Sequence, residues 1–418
     1  MKYDVIIVGA GFAGLSLALR LPRELKVLVL EKKQRINAAA ATTGLVTVTT
    51  KNLIGSLVDV ERYVTNRIVD ICVVDPSFSR WFVSRTDFPW IFSTNTPELL
   101  LAMVARCGDN VTILTGTTFE RYRLEPGCDY SVAVECTSGR TKMEARARLL
   151  VGADGARSAV AQAGRGLGVN RKFLFAYERV YEGDCLLGDM PDRTVYHLWF
   201  GSFSLGYGGW IAPNFIGRRK YFRIGLATYS PGAEKARLLE RLVDTMIRRK
   251  VISVFDPERP ETSYGGYVPI GGYHKCVWDE RVVLLGDAAG FCGAFSGDGI
   301  KGAVVSGLVA GELIPEYLSG NHGAPKLFLP RIEERYRLLS YYNRQLFYRF
   351  MWDRMSSNAS FESLFRLCER EKSDFLNQFC DAKDKQASLL KGILKWKHAP
   401  YLANMAWNIL IDQFTRRK

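Results

Sequence analysis

The sequence predicts an α/β chain in which a mostly parallel sheet is interrupted by an inserted antiparallel sheet and followed by a helical region. Three observations carry this. A short β-branched run opens the chain and feeds a glycine-spaced turn, a helix and a second apolar strand that ends in an acid. Two further apolar runs, each leading into a glycine–aspartate turn, lie far downstream. Between them come aromatic, strand-like segments, so the parallel sheet must be assembled from separated pieces.

The opening element is Tyr3 to Val8 (YDVIIV), a nearly continuous apolar run suited to a strand buried on both faces. It enters Gly9-Ala10-Gly11-Phe12-Ala13-Gly14, after which Leu15 to Leu21 reads as a helix closed by Pro22. Lys26 to Leu30 reads as the second strand, followed by Glu31. Each glycine has a separate task. Gly9 makes the tight turn, Gly11 lets backbone approach a pyrophosphate, and Gly14 lets helix and strand pack closely. The free N–H groups of the helix start face the anion, and Glu31 accepts from both ribose hydroxyls. A carboxylate there repels a 2′-phosphate, which leaves FAD or NAD as the nucleotide.

The downstream runs decide between them. Ala147 to Ser158 (ARLLVGADGARS) places a strand before Asp154 and Gly155. Arg281 to Gly290 (RVVLLGDAAG) places another before Gly286, Asp287 and Ala288. Asp287 can accept from ribityl hydroxyls, and NAD has no ribityl chain, so FAD is the expected cofactor. Phe291 to Ile300 (FCGAFSGDGI) then reads as a glycine-rich loop opening a buried helix to about Leu313. A helix start at Gly297, Gly299 and Ile300 would stabilise negative charge on the flavin's pyrimidine ring.

In this order the three motifs resemble the p-hydroxybenzoate-hydroxylase-like flavoproteins, and within them the geranylgeranyl reductases. GDAAGFCGAFSGDGI is similar to that group's GDAAG-F-x-x-P-x-[ST]-G-E-G-I, with Ala294 in place of proline and Asp298 in place of glutamate. Gly265 to Gly272 (GGYVPIGG) resembles the group's I-P-x-G-G approach to the last strand. The likeness covers about residues 1 to 350. It implies a Rossmann-like FAD-binding domain, an inserted antiparallel-sheet substrate domain and a C-terminal helical region. It also adds Phe12, Ala13, Lys32, Thr43 and Gly44 to the expected cofactor contacts. The chain departs from the group in three places. Gly208 to Asn214 (GGWIAPN) keeps only the tryptophan and proline of the Y-x-W-x-F-P-K signature, Thr96 stands where the group has arginine, and Ala38 to Gly44 lacks the group's cysteine.

Split motifs require an inserted second domain. The expected division gives residues 1–66, 95–171 and 276–330 to FAD binding, 67–94 and 172–275 to the substrate, and 331–418 to helices. Val195 to Phe200, Trp210 to Ala212 and Tyr221 to Thr228 read as strands of the inserted sheet, and Leu238 to Lys250 as an amphipathic helix. Aromatics crowd the insertions, among them Phe78, Trp81, Phe82, Phe88, Trp90 and Phe92. They read either as an apolar tunnel or as sheet core. Trp210, Pro213 and Tyr207 are the candidates for lining the substrate site, with Tyr207 also a candidate proton donor.

Composition sets the outer limits. With 47% hydrophobic and 24% charged residues, the 418-residue chain is an ordinary globular one. Nine cysteines without a C-x-x-C pair and four scattered histidines indicate no metal site. No run approaches a spanning helix, and no leader precedes the first strand, so a cytoplasmic protein is expected. The net charge of +14 suits an anionic membrane surface or an acidic redox partner, while no nucleic-acid-binding signature is present. Basic residues interleaved with aromatics in 331–352 and 391–418 suit either a helix lying peripherally on a bilayer or one docking on its own protein.

No second strand–G-x-G-x-x-G unit is found for a resident nicotinamide, so electrons are expected from transient NAD(P)H or a ferredoxin-like donor. The resemblance implies a reductase saturating double bonds of an isoprenoid lipid. The alternatives are an FAD-dependent aromatic monooxygenase on the same scaffold and a flavin-bound membrane or partner-binding protein without turnover.

Overall fold

The computed structural model describes residues 1–38, 42–198, 201, 203, 206, 208–229, 233–373, 375 and 394–415. Its first sheet runs Trp278–Asp279, Val282–Leu284, Thr141–Gly152, Lys2–Val8, Val27–Leu30, Val111–Leu114. The pairings from Val282–Leu284 across to Val111–Leu114 are all parallel. Val5, Ile6 and Ile7 are completely shielded, as a continuous apolar run in a parallel sheet requires. Thr141–Gly152 shows two regimes in one strand. Its early residues pair antiparallel with Val132–Ser138 and remain largely exposed or half-buried, while Leu149 to Gly152 are all buried in the parallel core.

The first helix is Phe12–Ala18, three residues earlier than the sequence pattern indicated, because Leu15 N–H already bonds the Gly11 carbonyl at 3.0 Å. The glycine turn therefore becomes the helix start itself. The long helix Ile300–Leu318 runs past Leu313 and packs on Phe12–Ala18. Its small residues permit the approach: a Cβ on Gly307 would lie 2.7 Å from the Ala13 carbonyl oxygen.

The second sheet runs Ile252–Val254, Phe173–Cys185, Arg219–Thr228, Gly208–Ile216, Thr194–Leu198, Asp70–Val74, Trp81–Arg85, with Thr262–Pro269 also paired to Phe173–Cys185. It is antiparallel except where Asp70–Val74 meets Thr194–Leu198. That parallel pair joins the two insertions into one sheet. The helix Ala233–Arg248 buries Leu238, Leu239, Leu242, Val243 and Met246 against one face, which carries Ile211, Phe222, Ile224 and Leu226. Alternation sends Trp210, Arg223, Gly225 and Glu178 to the other face. A three-stranded sheet of Leu45–Thr47, Ile91–Thr94 and Val64–Ile68 lies between the two larger ones in sequence.

The tunnel reading of the aromatics does not hold for most of those in the first insertion. Phe82 and Trp90 sit in a core with Phe365 and Phe375, while Trp81 and Phe88 face solvent. Of the 331–352 segment, the helix Leu338–Trp352 turns Tyr341, Tyr342, Gln345, Arg349 and Trp352 inward. Arg349 pairs with Asp353 and donates to the Gly206 carbonyl, as does the Trp352 indole. This side of the helix docks on its own protein, while Phe347 and Phe350 on the other side stay about half exposed.

Packing is tight at Gly14, where an added Cβ would collide with the Gly9 carbonyl oxygen and press on Ile7. Both obstacles belong to the central turn and strand. Gly14→Ala is therefore expected to cost at least the ~1–3 kcal/mol typical of overpacked positions. Urea melts of the purified variant check this, and an unchanged midpoint would contradict the packing described.

Candidate functional site

The three glycine–acid turns meet directly. Gly9 adopts φ +106°, and any Cβ there would collide with the Ala153 carbonyl, so first and second turns touch backbone to backbone. Leu285 N–H bonds the Gly152 carbonyl at 2.9 Å, joining second and third. Gly286 closes the triangle, its Cβ position 3.1 Å from the Ala13 methyl. Asn170 adds a clasp: its amide donates to the Ala156 carbonyl at 2.9 Å and to the Asp287 carbonyl at 2.7 Å, and its oxygen meets His274 Nε2 at 3.0 Å. Asn170 and His274 were not singled out by the sequence, because their role is visible only once distant turns are adjacent.

Around this junction the residues fit FAD. Nothing lies within 4 Å of a Cβ built on Gly11, at the first turn of Phe12–Ala18, where a pyrophosphate would approach the helix N-terminus. Glu31 is buried at the end of its strand and accepts from Ala10 N–H at 2.8 Å and Lys33 N–H at 2.9 Å. Those bonds hold its carboxylate against the glycine turn, the position a ribose would occupy. Asp154 uses Oδ2 to accept from Ala159 and Val160 N–H groups, while Oδ1 is buried without a partner among the described residues. Gly155, at φ +83°, has open space at its Cβ position. Lys32 is exposed, and it is Lys33 whose backbone reaches Glu31.

Asp287 is a strongly perturbed acid. Burial, and then the Asp298 carboxylate, push its pKa up to about 7. Its Oδ1 lies 2.6 Å from the Cβ position of Gly299, so only glycine can follow Asp298 without crowding it. Ala288 is buried beside it, and Ile300 begins the long helix. The intervening loop is tied down from outside. Asp298 accepts from Ser296 and, at 2.8 Å, from Tyr341. The fully buried Gln345 accepts from Phe295 N–H at 3.2 Å and Ser296 N–H at 2.8 Å. Gly297 N–H bonds the Gly293 carbonyl at 2.8 Å. The Leu338–Trp352 helix is thus the support of the glycine-rich loop.

A second polar centre, missed in the sequence, occupies the sheet face opposite the Ala233–Arg248 helix. Trp210 Nε1 donates to Glu178 Oε2 at 2.6 Å, and Tyr264 donates to Glu178 Oε1. Arg223 stands 3.9 Å from the same carboxylate and reaches out of the sheet to the Thr43 and Thr94 carbonyls. Gly44, at φ +65°, bonds Thr94 through its carbonyl and packs on Thr96, so no other residue fits there. Burial raises the Glu178 pKa, against the opposing pull of Arg223, Tyr264 and Trp210, and burial also raises that of Tyr264. Both hold their protons more firmly than usual. Trp210 lies over Gly225 and in a cluster with Leu174, Ile270 and Ala294, so it connects the sheet to the glycine-rich loop. Pro213 is buried, its carbonyl accepting from Asn66 and Ser93. His197, opposite Trp210 in register, has its pKa pushed down to about 4 by burial. Tyr207 lies outside the described residues.

A family model described as FAD dependent oxidoreductase matches residues 4–84. Digeranylgeranylglycerophospholipid reductase 1 of Methanothermobacter thermautotrophicus is 26% identical over 323 residues, 75% of this chain and 77% of that protein. The chain is an FAD-dependent oxidoreductase. Geranylgeranyl diphosphate reductase of Rhodobacter capsulatus is 27% identical over 333 residues, 78% of each chain. In structure the oxidoreductase is similar to a geranylgeranyl bacteriochlorophyll reductase-like protein from Thermoplasma acidophilum, with a TM-score of 0.77 at 18% identity over 94% of this chain and 96% of that one. It is also similar to p-nitrophenol 4-monooxygenase from Pseudomonas putida, with a TM-score of 0.66 at 17% identity over 94% and 98%. The resemblance carried by the motifs is therefore the one the relatives return, and the fold is shared across both chemistries.

Two outcomes test the site. Gly11→Ala fills open space, so it is expected to cost the fold no more than ~1 kcal/mol as a poorer helix cap, while FAD affinity falls at least ~10-fold; equilibrium dialysis against FAD measures this. Asp287 has a raised folded pKa, so its contribution is fully present in acid and is lost as pH rises through about 7. Stability of the flavin-stripped oxidoreductase should fall from pH 4.5 to 7 by up to ~1.4 kcal/mol per unit from this one group. Asp287→Asn should flatten that slope and raise stability at pH 8, read from urea melts across the range.

Proposed function

We propose that this oxidoreductase saturates carbon–carbon double bonds of a hydrophobic, geranylgeranyl-type isoprenoid. The observation that carries the reading is the pairing of the GDAAGFCGAFSGDGI loop, held in place by Gln345 and Tyr341, with relatives named as geranylgeranyl-type reductases over three quarters of the chain. When bound and reduced, FAD supplies the hydride for one carbon of the double bond; a proton goes to the other, so each saturation consumes one hydride and one proton.

The chain's own residues account for the rest. The Gly9–Gly14 turn, Glu31, Thr43, Gly44, Asp154, Gly155, Asp287 and the Gly297–Ile300 helix start bind and orient the cofactor. The sheet face carrying Trp210 covers the reacting region and excludes water. On that face burial raises the pKa of Glu178 and of Tyr264, which donates from Oη to Glu178 Oε1, so both groups hold protons more firmly than usual. These atoms are the proton source we favour among the described residues. Electrons arrive from NAD(P)H or from an acidic ferredoxin-like protein, for which a net charge of +14 is complementary. The substrate lives in a bilayer, so the protein works peripherally at its cytoplasmic surface.

The test is anaerobic turnover of a geranylgeranyl lipid with chemically reduced protein, followed by mass spectrometry. The product should gain two mass units per bond saturated, and Glu178→Gln with Tyr264→Phe should slow turnover by at least ~100-fold. No mass change across an isoprenoid panel, with oxygen-dependent NAD(P)H consumption on a phenol instead, would assign the aromatic monooxygenase reaction.

A further inference from the structure

We propose that the helix Ala399–Thr415 is a docking surface for an anionic lipid bilayer, lying in its interface with the outward side buried among the headgroups. The proposal rests on how this helix is packed, and it does not depend on the reaction assigned above.

The helix is turned the opposite way from an ordinary surface helix. Its polar residues face the protein, where it packs on the helix Asn358–Arg370. Asn408 donates to Ser363 Oγ at 2.9 Å, and Asn404 to the same oxygen at 3.1 Å. Asp412 is buried and caps the start of the neighbouring helix, accepting from Ser356 N–H at 2.7 Å, Ser357 N–H at 3.1 Å and Ser360 Oγ at 2.6 Å. Gln413 donates to the Arg354 carbonyl, and Tyr401 accepts from Arg370. These bonds fix the helix rotation, because Asp412 cannot leave its three donors without exposing a capped helix end.

The large side chains left outward are apolar. Trp407, Leu410, Ile411 and Phe414 follow helical spacing, and Trp407 and Phe414 are 63% and 70% exposed. Just before the helix, Trp396 is 95% exposed beside Leu394. Within Ala399–Thr415 the only charged residue is the inward Asp412. A stripe of this kind on a soluble surface marks an interaction site.

Charge selects the occupant. Lys395 and Lys397 flank the helix on one side, held by Glu371 yet about half exposed, and the sequence continues on the other as Arg416-Arg417-Lys418. Lysines at the start of an apolar, indole-bearing face, with a basic run following it in sequence, match an anionic headgroup layer over a hydrocarbon edge. A second copy of the same face would bring two basic rims together in a chain already at +14, which opposes self-association. Among the described residues no helix is long and apolar enough to cross a membrane, so this helix lies on the bilayer rather than through it.

The experiment is flotation of the full-length flavoprotein with vesicles of phosphatidylcholine alone or with about 30 mol % phosphatidylserine. Wild type should float with the anionic vesicles and weakly with the neutral ones. Trp407→Glu with Phe414→Glu should reduce flotation at least ~10-fold while the flavin absorbance and melting temperature stay unchanged, since both side chains are exposed. Arg140→Glu, the same two-unit charge change at the exposed turn between Val132–Ser138 and Thr141–Gly152, should leave flotation intact. Failure of wild type to float, or flotation undiminished in the double variant, overturns the proposal. Concentration-dependent dimerisation lost in the double variant would overturn it in favour of a second copy.

Discussion

The contact on which the site depends is backbone against backbone: Gly9 resting on the Ala153 carbonyl while Gly152 accepts from Leu285. These interactions bring residues from three distant stretches into one junction with no side chain between them. Everything that can hold a dinucleotide is arranged around that junction. The open side of Gly11, the carboxylate of Glu31, the unpartnered Asp154 oxygen and the buried Asp287 converge because the strands beneath them are in parallel register. The desolvation that lifts the Asp287 pKa follows from the same closeness.

A second layer of support comes from later in the chain. Gln345 and Tyr341 hold the glycine-rich loop by its N–H groups and by Asp298, and Arg349 with Trp352 anchors their helix on Gly206. A loop containing four glycines among residues 290–299 has little conformational preference of its own. Its shape is therefore imposed from outside, by side chains that a motif comparison passes over.

This division explains how far the sequence could be read. The strand–turn–helix start, the acid at Glu31 and the downstream glycine–aspartate turns were legible because each is a local pattern with a local physical cause. The inserted sheet was legible as strands, since aromatic and β-branched runs favour them, but not as one sheet: the parallel pairing of Asp70–Val74 with Thr194–Leu198 joins segments more than a hundred residues apart. Glu178, Arg223 and Tyr264 were invisible for the same reason, as no two of them are neighbours in sequence. Charge and aromatic content left the reading of Leu338–Trp352 open between two environments, because composition does not say which side of a helix a residue occupies.

Arg223 bears on how the two halves of the molecule can behave. One guanidinium grips the carbonyls of Thr43 and Thr94 while resting against Glu178, so the inserted sheet is riveted to the strands flanking the nucleotide-binding half. Prising these walls apart would strip one buried guanidinium of both carbonyls and of its neighbouring carboxylate at once, so any parting of the two sheets carries the penalty of a stranded charge.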